Sequence, residues 1–253
     1  MNPDEKIIKA FIVEDFELDL NIISLSNSGK VKKTILKEFN FSRKSKSYKY
    51  MNLKKDERVT SLAISNGTQE IIIVSNSSMT TKFNEEQISS TSLKSSGIMG
   101  IKLKQGEYAV SVSSSYDHDN LTFVSKRGSY KRLRVSEISS SGRNTRGKSS
   151  FAQTKSTPNL ITSSKNNFRS GEILVNTDLG PKKVLFQINR SNINNGFSNP
   201  TNDFKLISLN KFEIINKDIE ILKNKIERKP KTLENAEESL NEIQLKIDSL
   251  LKG

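Results

Sequence analysis

The chain has 253 residues, enough for one large or two small domains, but only 33% of them are hydrophobic and none is tryptophan. This composition favours thin, repeated sheets over the solid core of a large α/β enzyme. Lysine and arginine number 41 against 28 aspartates and glutamates, and the net charge of +13 favours a polyanionic partner, nucleic acid before an anionic membrane. The absence of cysteine excludes disulfides, thiol nucleophiles and cysteine-based metal sites.

The first ten residues lack the apolar core and the cleavage site of a signal peptide. No apolar run approaches the roughly 18 residues of a membrane span. A cytoplasmic location without membrane attachment is therefore expected.

One pattern recurs along the chain: a β-run, a turn, a basic strand, and a polar step that ends in Phe or Ile. Its copies are Ile22–Phe39, Ile71–Ile88 and Leu121–Ile138, which begin 49 and 50 residues apart, and a weaker copy, Ile173–Ile188, begins 52 residues later. A repeat of about fifty residues has the size of a four-stranded blade. The sequence predicts a mainly β domain over residues 1–216, with repeats near 22–70, 71–120, 121–172 and 173–210.

The turn of each copy is predicted at Gly29, Ser78, Gly128 and Gly180, because a tight hairpin favours a residue that tolerates positive φ. The second half of the repeat also recurs. Tyr50–Glu57 (YMNLKKDE) and Gly100–Glu107 (GIKLKQGE) are each predicted to be a strand that runs into a turn.

The periodicity changes at Lys217. Apolar residues then follow helical spacing, Pro230 interrupts them, and the segment from Leu233 to Leu250 follows the steps of a heptad seam. A short α-helical hairpin or coiled-coil tail is predicted over residues 217–253. This tail holds eight basic and eight acidic residues, so the excess positive charge belongs to residues 1–216.

Basic residues recur on the strand that follows each turn and in two loops. A charge cluster is ordinarily a solvated surface, but clusters that repeat with the period of the fold favour a continuous track for a phosphate backbone. Within the third copy, Arg132 and Arg134 alternate with Leu133 and Val135, so these arginines are expected to face outward. The predicted DNA-binding residues are Lys30, Lys32, Lys33, Lys82, Arg127, Lys131, Arg132, Arg134, Lys182 and Lys183 on the strands, and Arg43, Lys44, Lys46, Arg143, Arg146 and Lys148 in the loops.

Gly142–Ser149 (GRNTRGKS) matches the G-x-x-x-x-G-K-[ST] pattern, in which Lys148 would contact phosphate and Ser149 would bind Mg²⁺. A P-loop also needs an apolar strand before it and an amphipathic helix after it, whereas both flanking segments are polar. A basic loop is favoured, with no cofactor and no metal. A nucleotide-binding protein, or a basic repeat scaffold that binds proteins, stays open as an alternative.

The segments Ser28–Phe39, Gly97–Leu103 and Ser125–Ser136 resemble the recurring blade phrases of a β-pinwheel, the C-terminal domain of the A subunit of bacterial type IIA topoisomerases. The resemblance covers about residues 4–205, and Asp4–Phe16 is similar to the closing strand of an earlier blade. The run from Ser125 to Asn159, with the later NGFS at 195–198, is similar to the last blades of topoisomerase IV more than to those of gyrase.

This resemblance implies a domain that binds and bends duplex DNA independently of sequence and presents it to a cleavage core located elsewhere. The implied partners are double-stranded DNA, the remainder of the A subunit and, through it, the ATPase-bearing B subunit. The implied location is the bacterial nucleoid. The family's catalytic motifs do not occur in the chain, so the chain alone is not expected to act as an enzyme.

Overall fold

The computed structural model describes residues 8–43, 45–126, 130–150, 160–167, 170–177, 180–187 and 206–209, the last three ranges by their backbone alone. Contacts divide the chain into two units, one of Met1–Lys9 with Val13–Glu213 and the other of Ala10–Ile12 with Ile214–Gly253. The predicted helical tail and the predicted boundary at residue 216 lie outside the described residues. Within the described ranges, no helix is long and apolar enough to cross a membrane.

The described fold consists of antiparallel strands joined by turns and short 3₁₀ segments. The 3₁₀ segments Leu36–Phe39, Glu85–Gln87 and Val135–Glu137 follow the second, fifth and ninth strands. The strands are β1 (Asn21–Ser26), β2 (Lys30–Ile35), β3 (Val59–Ser65), β4 (Glu70–Ser75), β5 (Met79–Asn84), β6 (Ile98–Met99), β7 (Ala109–Ser115), β8 (Asn120–Ser125), β9 (Tyr130–Arg134), β10 (Lys148–Ser149), β11 (Ile161–Asn166), β12 (Ser170–Thr177), β13 (Gly180–Gln187) and β14 (Leu206–Leu209).

Each predicted repeat contributes a central hairpin to one sheet. The strand orders are β3-β1-β2-β6, β10-β5-β4-β7, β11-β8-β9 and β13-β12-β14. The mainly β fold of four-stranded blades is thereby confirmed, with three strands described in each of the last two sheets. We number the blades one to four in this order.

Strand exchange completes the first two blades. β6 follows β5 in the chain but pairs with β2 of blade one, where Lys30 lies opposite Met99. β10 follows β9 but pairs with β5 of blade two, where Lys148 lies opposite Thr80. In both cases a repeat lends its short outer strand to the blade before it, which links neighbouring blades.

The core lies between the blades, and β4 shows why. Its run EIIIVS is apolar without alternation, and residues Ile71 to Val74 are all fully buried. Ile71 and Ile73 belong to a cluster shared with blade one, whereas Ile72 and Val74 belong to a cluster shared with blade three. A strand that is covered on both faces is apolar throughout rather than alternating.

The turns confirm two sequence predictions and correct a third. Gly29 and Ser78 have positive φ (+86° and +70°), as predicted for their hairpins. The prediction at Gly180 is wrong, because Gly180 is the first residue of β13 and pairs with Thr177, so it lies in the strand and not in the turn. Gly128 lies outside the described residues.

The second half of each repeat is less regular than predicted. Tyr50–Glu57 forms no strand, and Gly100–Glu107 contributes only an isolated bridge between Ile101 and Thr145. Both segments bond to neighbouring loops; the Asn52 N–H, for example, donates to the Ser95 carbonyl. The described part of the segment compared with a closing strand, residues 8–16, also forms no strand.

Candidate nucleic-acid interface

Three basic residues at equivalent places on β2, β5 and β9 are buried: Lys33, Lys82 and Arg132 are 9%, 6% and 6% exposed. The Lys82 amine donates at 2.9 Å to the Asp117 carboxylate, in the turn that leads to blade three, and at 3.1 Å to the Val135 carbonyl of blade three. The Lys33 amine likewise donates to the Glu85 carbonyl of blade two at 3.4 Å and lies 3.7 Å from the Glu85 carboxylate. Because Glu85 and Val135 are equivalent, these lysines form a repeated link between blades.

Lys32 and Lys131 occupy the preceding position of their strands and are each only 1% exposed. The Lys32 amine donates to the Tyr50 carbonyl at 2.5 Å and lies 4.4 Å from the centre of the Tyr50 ring. Burial lowers the pKa of both lysines. These side chains belong to the interior of the blades.

Two further predicted residues, Lys30 and Arg146, are held by equivalent carboxylates. The Lys30 amine lies 3.0 Å from Glu57, whose side chain also accepts from the Ser28 hydroxyl and the Lys54 N–H. Arg146 makes two bonds to Glu107, of 2.6 and 2.7 Å. The Lys54 N–H and the Ser28 hydroxyl lower the pKa of the Glu57 carboxyl to about 2. The pKa of the Glu107 carboxyl is also lowered to about 2, chiefly by Arg146.

The remaining predicted residues divide into exposed, bonded and undescribed side chains. Arg43, Lys46, Arg134 and Lys148 are exposed, and the Arg143 guanidinium donates to the Met99 carbonyl at 2.9 Å. The outward direction expected of Arg132 is wrong, because Arg132 is only 6% exposed and the equivalent lysines, Lys33 and Lys82, are bonded to the next blade. Lys44 and Arg127, and the side chains of Lys182 and Lys183, lie outside the described residues.

The exposed cations concentrate in the excursions, which we define as the segments between each 3₁₀ segment and the strand that follows it on the inner side of the sheet (β3, β7 or β11). They are residues 40–58, 88–108 and, within the described residues, 138–150 and 160. Among their described exposed side chains, Asp56 alone is acidic. We call the exposed cations of these segments the basic rim. They are Arg43, Lys46, Lys49, Lys54, Lys55, Arg58, Lys94, Lys102, Lys104 and Lys148.

Backbone contacts bring the turns of the rim to the hairpin end of the blades. The Asn27 N–H donates to the Arg58 carbonyl, and the Asn27 carbonyl accepts from the Ala109 N–H of the next blade. The opposite end carries the 3₁₀ segments, with the exposed carboxylates of Glu38 and Glu86, and the turn between β7 and β8, with the exposed carboxylate of Asp117. The exposed cations of these turns therefore lie at the other end of the blades from the exposed carboxylates.

More than half of the rim was missed from sequence. The rim cations absent from the predicted DNA-binding residues include Lys54, Lys55, Arg58, Lys94, Lys102 and Lys104. Most of these lysines lie in the recurring segments YMNLKKDE and GIKLKQGE, in which Lys54 and Lys104 precede equivalent glutamates. This repetition was the sequence pattern that could have identified them. Those glutamates are bonded within the fold, which leaves the lysines as the exposed charges.

The P-loop alternative does not fit the structure. Lys148 and Ser149 form strand β10, opposite Thr80 and Met79, whereas a P-loop places this lysine at the start of a helix. Within the described ranges, no group of three or more His, Asp or Glu side chains could hold a metal ion. His118, in a polar turn, has a side chain that is 79% exposed.

Blades built from fifty-residue repeats, linked by exchanged strands and edged with basic excursions, define a propeller-like module of the pinwheel type. The sequence matches the family described as DNA gyrase C-terminal domain, beta-propeller, over residues 20–66, 69–115 and 119–157. These segments make up more than half of the chain, and the chain belongs to this family. The resemblance to the C-terminal domain of a type IIA topoisomerase A subunit is thereby confirmed.

Relatives come from both branches of these enzymes. The A subunit of DNA topoisomerase 4 from Bacillus subtilis is 26% identical over 196 residues, which cover 78% of this chain and 24% of the relative. The A subunit of DNA gyrase from Buchnera aphidicola is 27% identical over 155 residues, covering 61% of this chain and 18% of the relative. The chain thus spans about a quarter or less of the length of these relatives.

Solved structures agree with the fold. The crystal structure of the C-terminal domain of DNA topoisomerase IV superposes with a TM-score of 0.72 at 26% identity, over 83% of this chain and 67% of that one. The DNA gyrase A C-terminal domain gives a TM-score of 0.64 at 23% identity, over 79% of this chain and 68% of that one.

Proposed function

We propose that this chain binds duplex DNA along the basic rim, without base specificity, as the DNA-holding part of the A subunit of a topoisomerase IV-type enzyme. The observation that carries the proposal is the charge of the excursions, whose described exposed charged side chains are all cations except Asp56. Such a surface neutralises phosphates and releases counterions, the main source of sequence-independent affinity for DNA.

The described structure supplies few means to read bases. The rim consists of loops, turns and two-residue strands, whereas major-groove reading usually employs a helix or a longer β-ribbon. Phosphate contacts position a duplex but carry no sequence information. The domain would therefore hold or bend DNA segments and present them to a cleavage core located elsewhere.

The proposal extends to the partners of the domain. The remainder of the A subunit would carry the cleavage chemistry and connect the domain to the ATPase-bearing B subunit, at the nucleoid in the bacterial cytoplasm. The 78% coverage of this chain by the B. subtilis relative and the TM-score of 0.72 with the topoisomerase IV domain support the topoisomerase IV type over gyrase. The chain alone would bind DNA without ATP or Mg²⁺ and would not relax supercoiled plasmid.

The test replaces equivalent rim lysines of successive repeats, in the double variant Lys54→Gln/Lys104→Gln. If each lysine contacts one phosphate, the slope of log affinity against log salt should fall in magnitude by about 1.8. The matched control is Lys37→Gln/Arg134→Gln, which removes two exposed cations outside the rim and should leave the slope unchanged. Fluorescence anisotropy with a short duplex, repeated over a range of salt concentrations, measures the slope for both variants.

Equal slopes for the parent and the rim variant would contradict the proposal. A loss confined to the Lys37/Arg134 variant would move the interface to the other end of the blades. Salt-insensitive binding of an acidic protein, with no affinity for DNA, would favour the protein-binding scaffold.

A further inference from the structure

The first excursion differs from the next two at one equivalent position. Gly97 and Gly147 have positive φ (+74° and +72°) where β6 and β10 approach the preceding blade. A Cβ would lie 2.7 Å from the Val31 carbonyl oxygen at Gly97 and 2.2 Å from the Thr80 carbonyl oxygen at Gly147. The first excursion has Ser47 at this position, and residues 47–50 form no strand.

Instead of joining a neighbouring sheet, this loop closes on itself through aromatic rings. The Phe41 and Tyr48 rings are stacked, with centroids 3.7 Å apart and planes inclined by 10°. The Tyr48 hydroxyl donates to the Arg43 carbonyl at 3.1 Å, and Phe39 meets Phe41 edge-on at 6.4 Å. The Tyr48 ring is thus held in place from one side.

The Tyr48 residue nevertheless remains 39% exposed. Exposed cations, Arg43, Lys46 and Lys49, surround it in sequence, and no acidic residue occurs between Asn40 and Leu53. A ring held on one face, with exposed cations beside it in the sequence, matches the sites that bind unstacked nucleobases, because every base has a face that can stack while cations hold the flanking phosphates. Binding to such a preformed ring requires little further loss of conformational entropy.

We propose that Tyr48 is a stacking platform for a nucleobase at an unpaired or bend-opened step of the DNA held on the rim. This inference rests on the proposed DNA binding and deepens it, because it adds a contact that depends on the state of the base pairs rather than on charge. Bending a duplex opens steps at flexible sequences, and side chains that occupy such openings stabilise the bend. Tyr48 would favour DNA that is already distorted.

The first experiment compares a fully paired duplex with the same duplex carrying a central mismatch bubble. The parent chain should prefer the bubble, and Tyr48→Ala should weaken bubble binding about tenfold, the usual scale for loss of one stacked base. The salt slope should stay unchanged, because no charge is removed, and Tyr48→Phe should bind as the parent does. The matched control is Tyr108→Ala, since Tyr108 is 44% exposed but has no stacked ring among the described residues.

The second experiment observes stacking directly. The chain contains no tryptophan, so Tyr48→Trp introduces a single tryptophan at the proposed platform, and its emission can be excited separately from that of the tyrosines. Bubble DNA should quench its fluorescence and protect it from acrylamide more than fully paired DNA does, whereas Tyr108→Trp, in the second excursion, should respond equally to both.

Equal bubble affinity of Tyr48→Ala and the parent, or an unquenched tryptophan at position 48, would overturn the inference. If the Tyr48 variants bound as the parent does while the Lys54/Lys104 variant showed the reduced salt slope, DNA binding at the rim would stand without the platform. If only the Tyr48 variants lost affinity, the platform would stand and the rim would fail.

Discussion

Replacing Glu107 with glutamine should loosen the connection between the second and third repeats. The Glu107 carboxylate accepts two bonds from Arg146, one of 2.7 Å from the Ser77 hydroxyl and one of 2.8 Å from the Lys104 N–H. A glutamine amide has one acceptor oxygen, and its NH₂ group would oppose one donor of Arg146. The variant therefore loses the ion pair and at least one further hydrogen bond.

The lowered pKa of Glu107 gives the size of the expected loss of stability. Its fall from the usual value near 4.5 to about 2, caused first by Arg146, means that folding favours the ionised form. At about 1.4 kcal/mol per pKa unit, this corresponds to roughly 3 kcal/mol. The Arg146 side chain is 32% exposed, and solvent screening reduces the expected loss in Glu107→Gln to about 2 kcal/mol at pH 7.

The same shift fixes the pH dependence. A carboxyl with a lowered folded-state pKa adds stability that is fully present above about pH 4.5 and is lost as the pH falls towards 2. The parent should lose stability across this window through both Glu107 and Glu57. The Glu107→Gln variant should lack the contribution of Glu107 to this loss of stability and keep that of Glu57, whose pKa is also about 2.

Urea unfolding followed by circular dichroism, from pH 7 to about pH 3, measures the free energy of unfolding and its dependence on pH. The control is Glu86→Gln, which removes an exposed carboxylate and should keep the stability and the pH profile of the parent. A Glu107→Gln protein as stable as the parent at pH 7, with an unchanged acid profile, would refute the stabilising role of the pair.

Two further substitutions test the links between blades. Lys82→Met should destabilise the fold by about 1–3 kcal/mol in urea unfolding, because the buried Val135 carbonyl loses a donor, while the DNA salt slope stays unchanged. A reduced slope in a folded Lys82→Met protein would contradict this assignment. Gly147→Ala should increase hydrogen exchange in β5, because its Cβ would lie 2.2 Å from the Thr80 carbonyl oxygen; unchanged exchange would argue against the pairing of β5 with β10.

The fold was predictable where it depends on local pattern. Hairpins are encoded by β-runs on either side of a turn residue, as in β1 and β2 around Gly29, and a fixed period identifies a blade. Strand exchange was not predicted, because the pairing of β6 with β2 joins segments far apart in the chain, as Lys30 and Met99 show. A two-residue strand such as β6 also carries too little alternation to be recognised in sequence.

The sequence predicted DNA-contacting cations mainly on the strands that follow each turn, but several of these side chains are buried in the fold. The expectation that Arg132 faces outward assumed a sheet with one wet face, where residues alternate between core and solvent. In these blades both sheet faces can be packed, and the unbroken apolar run Ile71–Val74 was the available signal. Strand cations such as Lys82 are therefore placed against the next blade, and the exposed cations lie mainly in the excursions.

A cation that repeats with the fold can serve the fold or a partner, and Lys82 shows why the two roles exclude each other. To reach a phosphate, the Lys82 amine would give up its bond to the Asp117 carboxylate and form a bond to the phosphate. Both are charge-assisted hydrogen bonds, so this exchange alone changes the energy little. It would also leave the Val135 carbonyl without its donor, which costs about 1–3 kcal/mol with no compensating gain. A rim lysine such as Lys104, exposed to solvent and near a glutamate that already binds Arg146, loses no comparable partner when it meets a phosphate. The proposed DNA track therefore follows the exposed cations, and the buried ones set the spacing of the blades that carry them.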